Sequence, residues 1–227
     1  MEPMNASRDL TFLLAVPERR FLRAIAAHLP TAVRPNHLTA IGVLAAMGSG
    51  VAYALSSRDP RWLWVASVGL VLNWFGDSLD GTLARVRAIE RPRYGYYLDH
   101  LVDAVSVAAI GVGIGLSPYV DLWVALGFVV AYLVLSINIY LETTVFGVFE
   151  LGYGRIGPTE ARLILIGANA LLPVLAPGVA NAAFVAVLVG MGIMLLTRVA
   201  RNLSTLSKLE PQRPRGSSEP PHATSAA

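Results

Sequence analysis

Long apolar segments cover most of this 227-residue chain, and they restrict it to a fold of membrane-spanning helices. Hydrophobic residues make up 55% of the sequence and charged residues 15%, with a mean hydropathy of +0.57. That composition is too apolar for an ordinary soluble domain. A helix needs about 20 apolar residues to cross a bilayer, and we therefore predict an all-α, polytopic membrane protein with six transmembrane helices. The predicted spans are Leu38–Leu55, Trp62–Leu83, Tyr96–Leu116, Leu122–Val145, Ala161–Leu175 and Val179–Thr197.

The segment before the first span has a helical pattern of its own. Its apolar residues recur at helical spacing, and arginines occupy other positions around the same helix. This pattern predicts an amphipathic helix lying in the lipid headgroup layer; a loosely structured basic arm is the alternative. The apolar residues of the pattern are Leu14, Phe21, Leu22, Ile25 and Leu29.

The two ends of the chain differ in composition from the apolar centre. From about Leu209 onwards Pro, Arg, Ser and Gly dominate and no apolar period survives, which favours a disordered tail. The predicted organisation is a cytoplasmic N-terminal segment over residues 1–37, a membrane domain over residues 38–200 and a largely disordered cytoplasmic tail over residues 201–227.

Basic residues are distributed unevenly between the two sides that six spans create. Of the 18 Lys and Arg residues, only Arg58 and Arg61 fall on one side, and the other sixteen fall on the side of both termini. By the positive-inside rule the side of the termini is cytoplasmic. We therefore expect an integral membrane protein, in the cell (inner) membrane, with both termini in the cytoplasm.

Four aspartates lie in or beside the second and third predicted spans. Asp77 and Asp80 are three residues apart, and Asp99 and Asp103 are four apart, so each pair shares one helix face. An acidic residue near the middle of a transmembrane helix costs about 2.5–3.5 kcal/mol, and a bound cation would offset that cost. Hard divalent cations prefer oxygen ligands. The pattern therefore predicts a divalent-metal site at the cytoplasmic face; for a single aspartate, pairing with an arginine or hydration at a helix end is the alternative.

Small residues accompany the carboxylates. Gly81 and Ala84 extend the face of the first pair, and Gly95 lies one turn before Asp99. Such residues leave room for a ligand to approach the helix backbone. Arg85 lies near the same face and suits a phosphate oxygen. Two metal ions there could hold a diphosphate during an in-line displacement.

Together these residues resemble the signature of the CDP-alcohol phosphotransferase family, also called the CDP-alcohol phosphatidyltransferases. All eight signature residues are present with the family's spacing: Asp77-x2-Asp80-Gly81-x2-Ala84-Arg85-x9-Gly95-x3-Asp99-x3-Asp103. The preceding segment Arg34-Pro35-Asn36-His37-Leu38-Thr39 is similar to the start of the family's first span.

The resemblance implies an activity and a metal centre. The chain would transfer a substituted phosphate (phosphatidyl) group from a CDP-alcohol, CDP-diacylglycerol above all, to the hydroxyl of a polar acceptor. CMP would be released, as a step of phospholipid biosynthesis. Asp77, Asp80 and Asp99 would hold two Mg²⁺ or Mn²⁺ ions, with Asp103 as a further ligand or as the base that takes the acceptor proton. A homodimer is also implied, and no nucleic-acid partner is expected.

The resemblance assigns substrate-binding residues as well. Those expected to contact the CDP-alcohol are Gly81, Ala84, Arg85, Gly95, Asn36 and Thr39. Arg155 and Arg162 lie between the fourth and fifth spans, where a helix start could favour an anion. They would bind a phosphate on the acceptor; anchoring at the lipid headgroups is the alternative for both.

Other functions stay open on the sequence alone. The same motif serves enzymes that use CDP-choline or CDP-ethanolamine as donor and diacylglycerol as acceptor. Intramembrane acids also mark the ion pathways of cation transporters, although a transporter would more naturally show acids at the midplane and repeat symmetry. A non-catalytic scaffold with this fold would be expected to lack at least one motif residue, and none is lacking. An enzyme is the favoured interpretation.

Overall fold

The computed structural model describes residues 14–146, 157–176 and 178–210, and all secondary structure within these ranges is helical. The predicted all-α class is confirmed. In chain order the helices are α1 (Ala15–His28), α2 (Pro35–Leu55), α3 (Trp62–Val86), α4 (Pro92–Gly115), α5 (Leu122–Phe146), α6 (Pro158–Leu171), a short 3-10 helix (Leu172–Val174) and α7 (Val179–Leu209).

Proline and glycine determine where several of these helices begin. Pro35, Pro92 and Pro158 occupy the first turns of α2, α4 and α6. A missing N–H costs nothing there, and the fixed φ of proline already suits the helix. Gly178 precedes α7 with φ of 85°, a backbone conformation that glycine adopts far more readily than other residues.

Among the described residues, four helices are long and apolar enough to cross a membrane, namely α2, α4, α5 and α7. The apolar sequence of α3 is interrupted by the polar residues Asn73, Asp77 and Asp80. Helix α6 has only 14 residues, which is about 21 Å of helix against a hydrocarbon core of about 30 Å. The structure thus supports four of the six predicted spans, and the crossing of α3 and α6 stays a prediction.

The last helix extends beyond the predicted span. The prediction ends that span at Thr197 and the membrane domain at residue 200, whereas α7 continues to Leu209. Residues 198–209 contain neither Gly nor Pro, and the next proline is Pro211, so no helix-breaking residue interrupts α7 earlier. The first nine residues of the predicted tail are therefore helical, and residues 211–227 lie outside the described residues.

Close glycine contacts bring α2, α3 and α4 together. A Cβ on Gly76 of α3 would lie 2.7 Å from the backbone nitrogen of Gly42 on α2. A Cβ on Gly113 of α4 would lie 2.6 Å from the carbonyl carbon of Gly50, further along α2. The backbone of α2 is therefore in contact with both neighbours, and this places it beside the two helices that carry the aspartates.

Helix α1 lies where the sequence predicts an N-terminal helix, and it packs on the carboxyl-terminal half of α3. Leu22 and Ala26 are buried in one cluster with Leu38, Leu79 and Leu83. This burial fixes one face of α1 against the helix that carries Asp77 and Asp80. Its location in the headgroup layer stays a prediction.

Helices α5 and α7 are joined by a charged network. Glu142 on α5 forms an ion pair with Arg198 on α7, and both side chains are at most 15% exposed. Asn138 donates a 2.6 Å hydrogen bond to the same carboxylate, and Asn202 donates another. Because each charge has a partner, burial of this pair is tolerated.

Candidate active site

The structure brings the four motif aspartates together between α3 and α4. Asp103 is close enough to Asp77, Asp80 and Asp99 to interact electrostatically with each of them. Asp80 interacts in the same way with Asp77 and Asp99. All four side chains are half-buried, so their mutual repulsion is less screened than it would be on an open surface.

The start of α2 contacts both helices of this cluster. Thr39 donates a hydrogen bond from Oγ1 to Oδ2 of Asp80. Asn36, one turn earlier and exposed, donates from Nδ2 to the hydroxyl of Tyr94 in the first turn of α4, at 3.0 Å. Arg91 stacks over the same Tyr94 ring, 4.0 Å from its centroid. Two residues that the resemblance assigns to donor binding therefore lie beside α3 and α4.

A cation from α6 reaches the cluster. Nη2 of Arg162 lies 3.0 Å from Oδ2 of Asp77, and the two side chains are 16% and 20% exposed. Nε of Arg162 donates to Oδ1 of Asn73 at 3.1 Å, and Nδ2 of Asn73 donates in turn to the carbonyl of Gly42 at 3.1 Å. The guanidinium is thus held in place from two directions. The structure puts Arg162 among the carboxylates, where it is paired with an acid.

A small cavity lies between α2, α3 and α4 beside the carboxylates. Five of its lining residues are polar, one is a glycine, and two are the valines Val43 and Val102. With a volume of about 10 Å³, it has room for one water molecule or one small polar atom at most. Its other lining residues are Thr39, Gly42, Asn73, Asp77, Asp103 and Ser106.

The small residues of the motif differ in what surrounds them. A Cβ on Gly81 would lie 3.4 Å from Nη1 of Arg85, and Nη2 of Arg85 donates to Oγ1 of Thr82 at 3.1 Å. The arginine therefore folds back over Gly81. Gly95 is exposed, and apart from its two chain neighbours and the nearby backbone of α4 no described atom lies within 4 Å of the position that its Cβ would take. Ala84 is half-buried on α3.

Some of the remaining site residues are predictable from the sequence, and others are not. Arg155 lies outside the described residues. Asn73 precedes Asp77 by one helical turn, and this spacing signals a shared face; the structure adds its contact with Arg162. For the participation of Tyr94 and of Glu18 in α1, described below, the sequence has no comparable signal.

The donor set of this cluster is compatible with a hard divalent cation, because it consists of carboxylate oxygens gathered at one place. In the described part of the chain, however, no three Asp, Glu or His side chains are arranged to hold one ion as they stand. Asp77 is paired with Arg162, and Asp80 accepts from Thr39. A metal ion could be held by these four aspartates only after side-chain rotations that release such contacts.

Comparison with known proteins identifies the family to which this chain belongs. The family model described as CDP-alcohol phosphatidyltransferase matches residues 32–206, which is more than half of the chain and includes every motif residue. The chain belongs to the CDP-alcohol phosphatidyltransferase family. A search of curated proteins finds no match. Membership supports the transfer of a phosphatidyl group from a CDP-alcohol donor to an alcohol acceptor by an integral membrane protein.

Proposed function

We propose that this chain transfers the phosphatidyl group of CDP-diacylglycerol to the hydroxyl of a polar acceptor and releases CMP. The observation that carries the proposal is the convergence of four carboxylates from α3 and α4, a hydroxyl from α2 and a guanidinium from α6. All of these groups lie within the segment that matches the family. The reaction needs such a site, because it brings a diphosphate and an acceptor hydroxyl together at one phosphorus atom.

The donor would bind along the cytoplasmic starts of α2 and α4 and the end of α3. The open space at Gly95 supports this placement. Arg85 is exposed at the end of α3 and donates to Thr82, and its guanidinium would bind a phosphate oxygen of the donor. The exposed Asn36 and the small residues Gly81 and Ala84 would complete the surface that receives the nucleotide, while Thr39 positions the carboxylate of Asp80.

On the acceptor side, Asp103 would take the proton of the attacking hydroxyl. It faces the polar cavity, where a hydroxyl could approach within hydrogen-bond distance. Arg162 would bind a phosphate on the acceptor, exchanging its ion pair with Asp77 for a phosphate oxygen, since guanidinium groups bind both anions with paired N–H donors. Arg155, which lies outside the described residues, is proposed for the same role from its place before the start of α6 in the sequence and from the resemblance.

The four aspartates would hold two Mg²⁺ or Mn²⁺ ions. When bound, these ions neutralise the diphosphate oxygens and the charge of the leaving CMP. What the chain itself contributes is the placement of the carboxylates on two rigid helices and the exclusion of bulk water by α2 and α6.

The proposal includes the architecture around the site. We infer six membrane crossings, with α3 and α6 completing the four helices that are long and apolar enough on their own. The uneven distribution of Lys and Arg supports a cytoplasmic site and cytoplasmic termini in the cell (inner) membrane. Helix α1 would lie in the headgroup layer, and a homodimer is proposed from the family resemblance.

The test is CMP release by the purified protein in lipid nanodiscs, with CDP-diacylglycerol, Mg²⁺ or Mn²⁺, and acceptors supplied one at a time. Inositol phosphate, glycerol phosphate and serine form the acceptor panel. We expect release that depends on metal, on one acceptor and on Asp103, with Asp103→Asn inactive. Glu90→Gln is the matched control, because Glu90 is an exposed acid on the α3–α4 connection that is not one of the eight signature residues. Release only with CDP-choline or CDP-ethanolamine and diacylglycerol would replace the proposed donor, and no release with any pair would refute the proposal.

A further inference from the structure

Glu18 on α1 bridges two helices of the candidate site. Its Oε1 accepts hydrogen bonds from Nε1 of Trp74 at 2.8 Å and from Oγ of Ser78 at 3.1 Å, both on α3. Its Oε2 accepts from Oγ1 of Thr159, in the first turn of α6, at 2.9 Å. One half-buried carboxylate therefore joins α1, α3 and α6, and we call these four residues the Glu18 bridge.

A second carboxylate strengthens the contact between α1 and α6. Oε1 of Glu160 accepts from the backbone N–H of Leu14 at 2.8 Å, just before α1 begins. Its Oε2 accepts from the N–H of Gly157 at 2.9 Å and so caps α6. The start of α6 is thus fixed to α1 by two successive residues, Thr159 and Glu160.

The positions joined by the bridge adjoin the reacting groups. Ser78 directly follows Asp77 on α3, and Thr159 lies three residues before Arg162 on α6, so Thr159 and Arg162 are one helical turn apart. Glu18 itself lies outside the segment that matches the family model, which begins at residue 32. The hydrogen bonds between α1 and the site therefore depend on a residue outside the segment that matches the family model.

We propose that Glu18 is a positioning residue, which fixes the start of α6 against α3 so that Arg162 points at the carboxylate cluster. The physical argument is geometric. Helix α6 has only 14 residues, and the hydrogen bond to Glu18 is made in its first turn, at Thr159. A carboxylate that accepts from three neutral donors fixes this turn against α3, because hydrogen bonds to ionised groups are stronger than those between neutral groups. The proposal rests on the proposed function only for its kinetic consequence.

The test uses the absence of cysteine from the sequence, which allows one nitroxide label to be placed on Ala161→Cys. Ala161 is exposed on α6 beside Arg162, so the electron paramagnetic resonance line shape reports the local order of α6 without any assay of activity. The variants Glu18→Ala and Thr159→Val are compared in nanodiscs with Arg20→Gln, an exposed position on the same helix α1. Thr159→Val removes only the α6 arm of the bridge and leaves the docking of α1 on α3 in place.

We expect Glu18→Ala and Thr159→Val to increase the mobile fraction of the spectrum to a similar extent, and the double variant to add little. Thr159→Ser, which keeps the hydroxyl, should restore the wild-type spectrum, and Arg20→Gln should not change it. In the CMP-release assay the apparent KM for glycerol phosphate or inositol phosphate should rise roughly tenfold, the low end of the loss expected for one hydrogen bond to a charged group, with kcat little changed.

The spectra and the kinetics test the proposal independently of each other. Unchanged spectra in both single variants, or additive effects in the double variant, would overturn the positioning role whatever the activity. Changed spectra together with a fall in kcat and an unaltered KM would also overturn it, because Arg162 would then not be the group that the bridge positions. If the wild-type protein releases no CMP with any acceptor, the proposed function fails while the spectra still decide the role of Glu18.

Discussion

The close contact between Gly42 and Gly76 sets the distance between α2 and α3 at the site, and Gly76→Ala tests it directly. The added methyl carbon would lie 2.5 Å from the carbonyl oxygen of Leu38 and 2.7 Å and 2.8 Å from backbone atoms of Gly42, whereas ordinary contact begins at 3.4 Å. These neighbours are helix backbone and cannot rotate away. Helices α2 and α3 would have to separate by somewhat under about 1 Å, a typical overpacking displacement that costs about 1–3 kcal/mol.

The separation should affect function as well as stability. Asp77 follows Gly76 directly, and Asp80 accepts a hydrogen bond from Thr39 across the same interface. A hydrogen bond weakens steeply when its donor and acceptor move apart by that much. Misplacing reacting groups by about 1 Å can reduce turnover by a factor of roughly 100. We therefore expect Gly76→Ala to lower both the melting temperature and the rate of CMP release.

The assay is thermal unfolding in nanodiscs, followed by tryptophan fluorescence, together with CMP release at a temperature where both proteins are folded. For a chain of this size a loss of 1 kcal/mol corresponds to about 2–4 °C in melting temperature. Gly48→Ala on α2 is the matched control, since apart from its two chain neighbours and the nearby backbone of α2 no described atom lies within 4 Å of that Cβ position. Alanine is more favourable than glycine in a helix interior, so the melting temperature of this variant should hold or rise. If Gly76→Ala proves as stable and as active as Gly48→Ala, the close approach of α2 and α3 is refuted.

Other perturbations follow from the same contacts. Asp80→Asn should abolish CMP release without changing the melting temperature by more than a few degrees, and normal turnover would contradict the di-metal assignment. Arg162→Ala should raise the apparent KM for a phosphorylated acceptor by roughly tenfold, the loss expected for a charge-assisted hydrogen bond. The KM for the CDP donor should stay the same, and equal changes in both KM values would exclude an acceptor role. Arg198→Ala leaves the carboxylate of Glu142 half-buried without its ion-pair partner, so it should destabilise the protein by about 3–5 kcal/mol in thermal unfolding. Arg201→Ala, at an exposed position on α7, serves as its control and should leave the melting temperature unchanged.

The sequence predicts the helices well where apolar runs and prolines coincide. The second, third and fourth predicted spans agree with α3, α4 and α5 to within four residues at each end. The end of α7 was not predictable from hydropathy, because residues 198–209 are largely polar and yet contain nothing that stops a helix. For the short α6, an apolar run of modest length containing Pro173 indicates a helix. The depth of α6 in the membrane is not predictable from that run, because it depends on tertiary contacts.

At the site, too, the sequence predicts which residues share a helix face but not which helices come into contact. Spacing alone places Asp77 with Asp80 and Asp99 with Asp103, because three- and four-residue intervals share a helix face. The position of Arg162 needs the fold, since its partner Asp77 is 85 residues away in sequence. The same holds for the contact of Thr39 with Asp80 across 41 residues. Motif spacing describes one helix at a time, and contacts between helices depend on packing that glycines permit but do not specify.

The Glu18 bridge extends this reasoning beyond the segment that defines the family. Every motif aspartate lies within residues 32–206, yet the start of α6 is fixed by a carboxylate and a backbone amide that precede this range. A site can therefore have its chemistry in one segment and part of its geometry in another. Helix α1 buries Leu22 and Ala26 against α3, so the helix that positions α6 is itself fixed to the helix carrying Asp77. Any displacement of α1 relative to α3 would reach Arg162 through two hydrogen-bonded contacts, and this makes α1 a structural part of the site.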